Sequence, residues 1–200
     1  MSVAGTTGQM SGAMSNTRLF VSVVSIIWVA SAKPGHMLEV FRAFRVKSFQ
    51  RWIALGFVLV LLDQLTKRVV VEMIGPFDTI SVLPFLSLVF TMNPGAAFSF
   101  LSDASGWQRW FFSAVAVVAA IVILAMLSKH SSDRFLSFSL TLVLGGAIGN
   151  LIDRVVYGAV VDFVLLFWRD YRWPAFNLAD SCITLGAIGL LFDGFFRRRA

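Results

Sequence analysis

Asp162, in "VVDF", and Asp180, in "FNLADS", stand between two strongly apolar stretches of a chain with only 11 acidic residues among 200. Two carboxylates close together in a poorly solvated place cannot both ionise cheaply, so they share a proton. One can then take a proton from water while the other gives one to a carbonyl oxygen, which is peptide hydrolysis of the aspartic-protease type. Asp180 also has a simpler use: Asn177 is a good helix N-cap, and Asp180 falls at the position from which a carboxylate reaches back to the cap. Capping leaves the second acid unexplained, because Arg169 and Arg172 are the only cations in the connection that carries both. A helix N-terminus favours the ionised form of Asp180, but an interacting pair titrates as a unit, so spacing assigns no separate roles. Asp170 reads as a solvated loop acid.

The other polar residues in apolar stretches are Asp63, Lys67, Asn150, Asp153, Arg154, Asn177 and Asp193. An ionisable group at membrane depth costs a few kcal/mol, so each needs a partner or a task. Asp63 and Lys67 are four apart, on one helix face, acid before base. They form an intrahelical salt bridge, or Lys67 meets a lipid headgroup or an outer-surface element. Asp193 and Arg197 have the same spacing and suggest only a structural pair. In "GGAIGNLIDR", Gly145 and Gly149 make a small-xxx-small face that admits a close neighbour. Asp153 and Arg154 form a buried ion pair or act on a substrate.

The elements that must position these residues follow from composition. The chain is 58% hydrophobic and 14% charged, with a mean hydropathy of +0.80, which marks an integral membrane protein. Net charge is +6, but the cations flank apolar segments instead of forming one basic face, which excludes nucleic acid as a partner and favours lipid headgroups. Lone Cys182, with only His36 and His130, makes neither an internal disulfide nor a Cys/His metal cluster. Cys182 reads as a packing residue.

Four segments, near 52–71, 107–128, 135–156 and 178–196, approach the roughly 20 apolar residues needed to cross a bilayer. Lys and Arg in 42–51, 129–134 and 197–199 share one side, which makes it the cytoplasm and puts both termini there. Lys67 and Arg68 are the exception, and long basic side chains can snorkel. The outward connection 72–106 contains "FDTISVLPFLSLVFTMNPGAAFSF", whose β-branched and aromatic residues and turn at Asn93, Pro94 and Gly95 predict a small extracytoplasmic β-element on the membrane surface. The fold expected is thus an all-α integral membrane protein of four helices with that β-element between helices one and two. Residues 1–50 differ: a polar start and a short apolar run at 19–32 lead into "VASAKPG", like a cleavable signal. Cleavage there would put the cations of 42–51 outside, so 1–50 reads as a dispensable extension with Met37 the better start, and 51–200 as the membrane domain.

These residues carry a resemblance. "GGAIGNLIDR", then Asp162 in "VVDF", then "PAFNLADS", preceded by "DQLTK" at 63–67 and "NPGAAF" at 93–98, resembles the lipoprotein signal peptidases, or signal peptidase II, over about 50–196. The resemblance implies a bacterial inner-membrane aspartyl endopeptidase, with no metal or cofactor, that removes the signal peptide of prolipoproteins before a diacylglyceryl-modified cysteine. It implies Asp162 and Asp180 as catalytic dyad, with Asn93, Gly95, Asn150, Asp153, Arg154 and Asn177 lining or bracing the site and Asp63 and Lys67 near the outer surface. It implies prolipoproteins, membrane lipids and globomycin-type inhibitors as partners. The loop near Asn93 could close over bound substrate.

Two other classes also place acids in apolar segments. A transporter or proton channel spreads them across bilayer depth, whereas here they collect on the outer side, Asp193 excepted. An assembly protein would satisfy them with Arg154, Arg169 and Arg172 and would tolerate loss of either Asp162 or Asp180.

Overall fold

The computed structural model describes residues 47–75, 78–95 and 106–197. The 1–50 extension up to residue 46, the run at 19–32 and Met37 lie outside the described residues, as do 96–105, including the end of the "NPGAAF" stretch. Four long helices emerge: α1 Lys47–Met73, α2 Trp107–His130, α3 Arg134–Val156 and α4 Leu178–Phe192. The segments expected near 52–71, 107–128 and 135–156 therefore sit within these helices, α1 starting five residues earlier. The fourth ends as α-helix at Phe192 and continues as a π-helical turn, Asp193–Arg197.

Among the described residues, three helices are long and apolar enough to cross a membrane: Trp107–His130, Arg134–Val156 and Leu178–Phe196. Their large apolar side chains point outward, as do those of α1: Phe57, Leu61 and Leu65 on α1, Val115, Val118 and Val122 on α2, and Leu185, Ile188 and Leu191 on α4 are all exposed. Polar residues lie inside instead. Ser137 and Thr141 are fully buried: the Ser137 hydroxyl donates to the His130 carbonyl at the end of α2 at 2.9 Å, and the Thr141 hydroxyl to the Ser137 carbonyl of its own helix at 2.7 Å. At one end of the bundle Phe49, Ile123, Leu127, Leu140 and Leu144 form a closed apolar cluster. Small residues let the helices approach. Gly145 faces Leu59 of α1 and Gly149 faces Asp63, while a Cβ on Gly146 would overlap the Ala179 carbonyl at the start of α4. The small-residue face thus serves two neighbours at once.

The β-element is larger than the sequence predicts. Strands β1 Thr79–Leu83 and β2 Leu86–Asn93 supply the β-element expected between α1 and α2 as a hairpin that turns at 84–85, with the expected turn at Asn93, Pro94 and Gly95 lying at the end of β2, and β3 Val160–Trp168 and β4 Tyr171–Arg172, from the α3–α4 connection, join them in one antiparallel sheet of order β1-β2-β3-β4. The all-α expectation with a β-element confined to the first connection is corrected accordingly. "VVDFVLLFW" is apolar at every position but Asp162, so no alternation reveals a strand, and its partner β2 is some seventy positions earlier. The pairing puts Thr91 opposite Asp162 and Asn93 opposite Val160, which brings the two loops to one place. Val70 and Ile74 at the end of α1 pack against Phe163 under the sheet.

Candidate active site

Asn177 caps α4 by accepting from the Asp180 backbone N–H at 2.8 Å, and the Asp180 carboxylate accepts from the Asn177 N–H at 3.2 Å. This reciprocal box fixes Asp180 at the helix N-terminus, where the backbone dipoles favour negative charge. Asp162 arrives from β3 and is buried, at 2% exposure. Both carboxylates line one cleft of about 650 Å3, walled by Leu166, Trp173, Phe176, Thr184 and Leu185. It is an apolar groove with two acids at its head.

Three amides hold the pair, and each is oriented by a donor. A side-chain amide is nearly symmetric in shape, so its neighbours decide which end faces where. Asn177 Oδ1 is engaged by the Asp180 N–H, which turns Nδ2 toward Asp162 Oδ1 at 2.7 Å. Asn93 Oδ1 accepts from the Gly95 N–H at 2.9 Å, which turns its Nδ2 toward Asp162 Oδ2, also at 2.9 Å. Asn150 Oδ1 accepts from Lys67 Nζ at 3.1 Å, which turns its Nδ2 toward Asp180 Oδ1 at 2.8 Å. Gly95 makes its contact with φ 114°, where a Cβ would sit 2.6 Å from the Phe112 ring, so glycine is required there.

Beneath the amides lies a charged brace. Lys67 Nζ is 2.8 Å from both Asp63 Oδ2 and Asp153 Oδ2, and all three residues are at most 3% exposed. Asp63 also accepts from the Ala179 N–H of α4 at 2.9 Å, and Asp153 from the Val161 N–H of β3 at 3.1 Å. One lysine thus ties α1 to α3, and its two carboxylates hold the residues just before Asp180 and Asp162. Of the two readings of Asp63 and Lys67, the intrahelical salt bridge is the one that forms, and it is buried. The expected Asp153–Arg154 pair is corrected. Asp153 pairs with Lys67 and not with Arg154, since neighbours in a helix point about 100° apart. Arg154 instead donates to the Asn150 carbonyl at 3.3 Å and lies over the Phe112 ring at 5.3 Å, where it feels the charges of Asp180, Asp162 and Asp153.

Among the described residues around the site, two cations, Lys67 and Arg154, face four carboxylates: Asp63, Asp153, Asp162 and Asp180. A shared proton relieves that imbalance. Burial above all pushes the Asp162 carboxyl up to about 6; the Asn93 donor pulls it down and the Asp180 charge pushes it up. A carboxyl raised in this way keeps its proton to higher pH than an ordinary aspartate, which suits a group that gives a proton to a substrate.

All ten residues singled out from the sequence converge here. Gln64 escaped notice: its Nε2 donates to Asp153 Oδ1 at 2.9 Å, to Asp63 Oδ2 at 3.2 Å and to the Gly149 carbonyl at 3.2 Å. Its position inside "DQLTK", as an uncharged polar residue in an apolar run, was the available signal. Trp173 and Leu185 of the cleft wall have none, since exposed apolar residues are ordinary in such a chain, and neither has Thr184, a hydroxyl residue of the kind apolar helices hold readily. Asp170 is exposed, as expected of a loop acid, and Cys182 is buried and free.

Long outward-facing apolar helices and a small sheet that frames a paired-carboxylate cleft define a helical enzyme of the membrane type. A solved bacterial membrane enzyme has this fold, with a TM-score of 0.64 and 32% identity over 73% of this chain and 90% of that one. The chain belongs to the signal peptidase II family, whose description "Signal peptidase (SPase) II" matches residues 55–196. It is 48% identical to the lipoprotein signal peptidase of Ralstonia nicotianae over 148 residues, which cover 74% of this chain and 86% of that protein. It is likewise 48% identical to the lipoprotein signal peptidase of Cupriavidus necator over 148 residues, 74% of this chain and 85% of that one.

Proposed function

We propose that this chain is a membrane-embedded aspartic endopeptidase that removes the signal peptide of prolipoproteins, cutting before the diacylglyceryl-modified cysteine. The observation that carries the chemistry is the placement of Asp162 and Asp180 in one cleft with their oxygens engaged by Asn93, Asn150 and Asn177. The relatives' common name supports the substrate. One carboxylate, Asp180, takes a proton from a water whose oxygen attacks the scissile carbonyl carbon. Asp162 gives its proton to the carbonyl oxygen. The tetrahedral diol then collapses: Asp162 takes back a proton from a diol hydroxyl, the C–N bond breaks, and Asp180 passes the proton it took from water to the leaving nitrogen, which restores the pair. The apolar groove running from Asp180 past Thr184 and Leu185 suits a substrate that is itself lipid-bound.

Four spans serve this reading, α1 being the fourth, with both termini in the cytoplasm and the cleft at the extracytoplasmic face of the bacterial inner membrane. The outward Phe57, Leu61 and Leu65 support α1 as a span, and globomycin-type inhibitors would occupy the same cleft. The residues before Met37 are dispensable, whereas 47–50 belong to α1 and carry core residue Phe49, so a chain begun at Met37 processes substrate as well as the full one. The deciding experiment uses Asp162→Asn and Asp180→Asn, reconstituted in bilayers with a diacylglyceryl-modified prolipoprotein. Each should stay folded and lose cleavage; cleavage retained by either overturns the dyad.

A further inference from the structure

The β3–β4 hairpin ends in "WRDYRW", residues 168–173, and none of these side chains serves the site except Trp173 at the cleft wall. Trp168 pairs with Tyr171 across the hairpin, and the Trp173 N–H donates to the Leu166 carbonyl at 2.8 Å, so the ladder continues one step further. Side chains directly opposite, or two apart, share a face. Trp168, Tyr171 and Trp173 therefore form one aromatic face, and all three are exposed, at 70, 62 and 51%. Trp168 also shares its face of β3 with Leu166 and Asp162.

Between the rings are two unpaired cations. Arg68 is matched by Glu72 at 3.3 Å and Lys67 by two aspartates, whereas Arg169 and Arg172, both exposed, meet no acid within ion-pair distance among the described residues. Arg169 occupies the first turn position with φ 55°. That is a left-handed conformation in which glycine is unstrained and arginine is not. A turn selected for folding alone would place glycine or asparagine there. A cation stands there against the backbone's preference, and such outliers point to function.

We infer that the tip of the β3–β4 hairpin is an interfacial anchor that enters the headgroup layer and selects anionic phospholipid, its rings lying at headgroup depth and its arginines meeting phosphates. Indole and phenol rings settle at that depth because one end is apolar and the other polar. Arginine adds planar donors that match a phosphate. Rings on one face, Arg172 on the other and Arg169 at the turn are all presented when the hairpin enters tip first. Because β3 carries Trp168 at its end and Asp162 near its start, a fixed tip sets the tilt of the strand and hence the depth of the acid. This inference rests on the membrane placement proposed above.

The test uses the full chain in bilayers containing brominated phosphatidylglycerol or brominated phosphatidylcholine at equal fraction, reading Trp168 fluorescence as the difference from Trp168→Phe. Asp170 offsets one of the two cations, so the net single charge predicts roughly fivefold enrichment of phosphatidylglycerol beside Trp168. Bromines near the headgroup should quench more than bromines at the chain end. Arg169→Gln with Arg172→Gln should abolish the lipid preference. Arg169→Gly should weaken the preference while leaving thermal stability equal or higher, which a folding role for this arginine does not predict. Equal quenching by the two lipids, or stronger quenching from the chain end, overturns the anchor whether or not prolipoprotein is cleaved. Loss of cleavage with the preference intact counts against the peptidase reading alone.

Discussion

Lys67 and Asp180 do not touch, yet a single side chain joins them: Asn150 accepts from Lys67 at 3.1 Å and donates to Asp180 at 2.8 Å. The lysine that neutralises the buried Asp63 and Asp153 thereby also decides which end of Asn150 faces the candidate dyad. Lys67→Met leaves two buried carboxylates without their cation, and breaking such a pair costs about 3–5 kcal/mol. Thermal unfolding in detergent should register a large drop in melting temperature; an unchanged one would contradict the brace.

Asn150→Asp replaces the donor at Asp180 with an acceptor and adds a charge 2.8 Å from its oxygen, while Lys67 can still pair with the new carboxylate. Folding should survive. Cleavage of prolipoprotein should fall by about a hundredfold, the scale of one lost donor at a reacting charge, measured as initial rate per folded enzyme.

Asn177 has two separable tasks, capping α4 through its oxygen and holding Asp162 through its nitrogen. Asn177→Ser keeps a capping oxygen and removes the amide nitrogen. It should unfold close to the parent temperature yet cleave poorly. Asn177→Ala should lose activity and, in addition, about 1 kcal/mol of stability. Parallel melting curves and rates of the two variants separate the tasks; equal stability of both would remove the cap from the account.

Asp162 sets a pH dependence. Its folded-state value, about 6, lies above the ordinary 3.8, so the native state binds more protons than the unfolded one between those limits. Its contribution to stability is complete below the ordinary value and is lost as pH rises through about 6, by up to roughly 1.4 kcal/mol per pH unit. Asp162→Asn should therefore gain stability relative to the parent between pH 4 and pH 7, as pairs of denaturation curves would reveal. In Asp180→Asn the neighbouring charge that raises Asp162 is gone, and the Asp162 carboxyl band in infrared spectra should titrate lower.

Gly95→Ala forces a side chain into a left-handed backbone and against Phe112. The turn should shift, Asn93 should lose the N–H that orients it, and the acid it bonds should titrate higher. An infrared titration of this variant that matches the parent would show that Asn93 is held by something other than Gly95.

Much of this protein was legible in one dimension. Hydrophobic length marked the helices, because a span must be apolar over a fixed number of consecutive residues. The Asn177–Asp180 box was readable because capping acts over three residues, and the Asp63–Lys67 pair because a helix stacks residues four apart. Asp162 and Asp180 stood out because acids in apolar surroundings are costly and few. Tertiary structure decided everything that depends on distant partners. The Ala179 N–H that meets Asp63 is 116 residues away, and Asn93 reaches Asp162 across 69. The pairing of β2 with β3, the choice of Lys67 over Arg154 as partner of Asp153, and the direction of all three amides follow from such contacts. Local periodicity and capping carry information over a helical turn, whereas which polar group satisfies which across a packed interface is set only when the helices and sheet close around them.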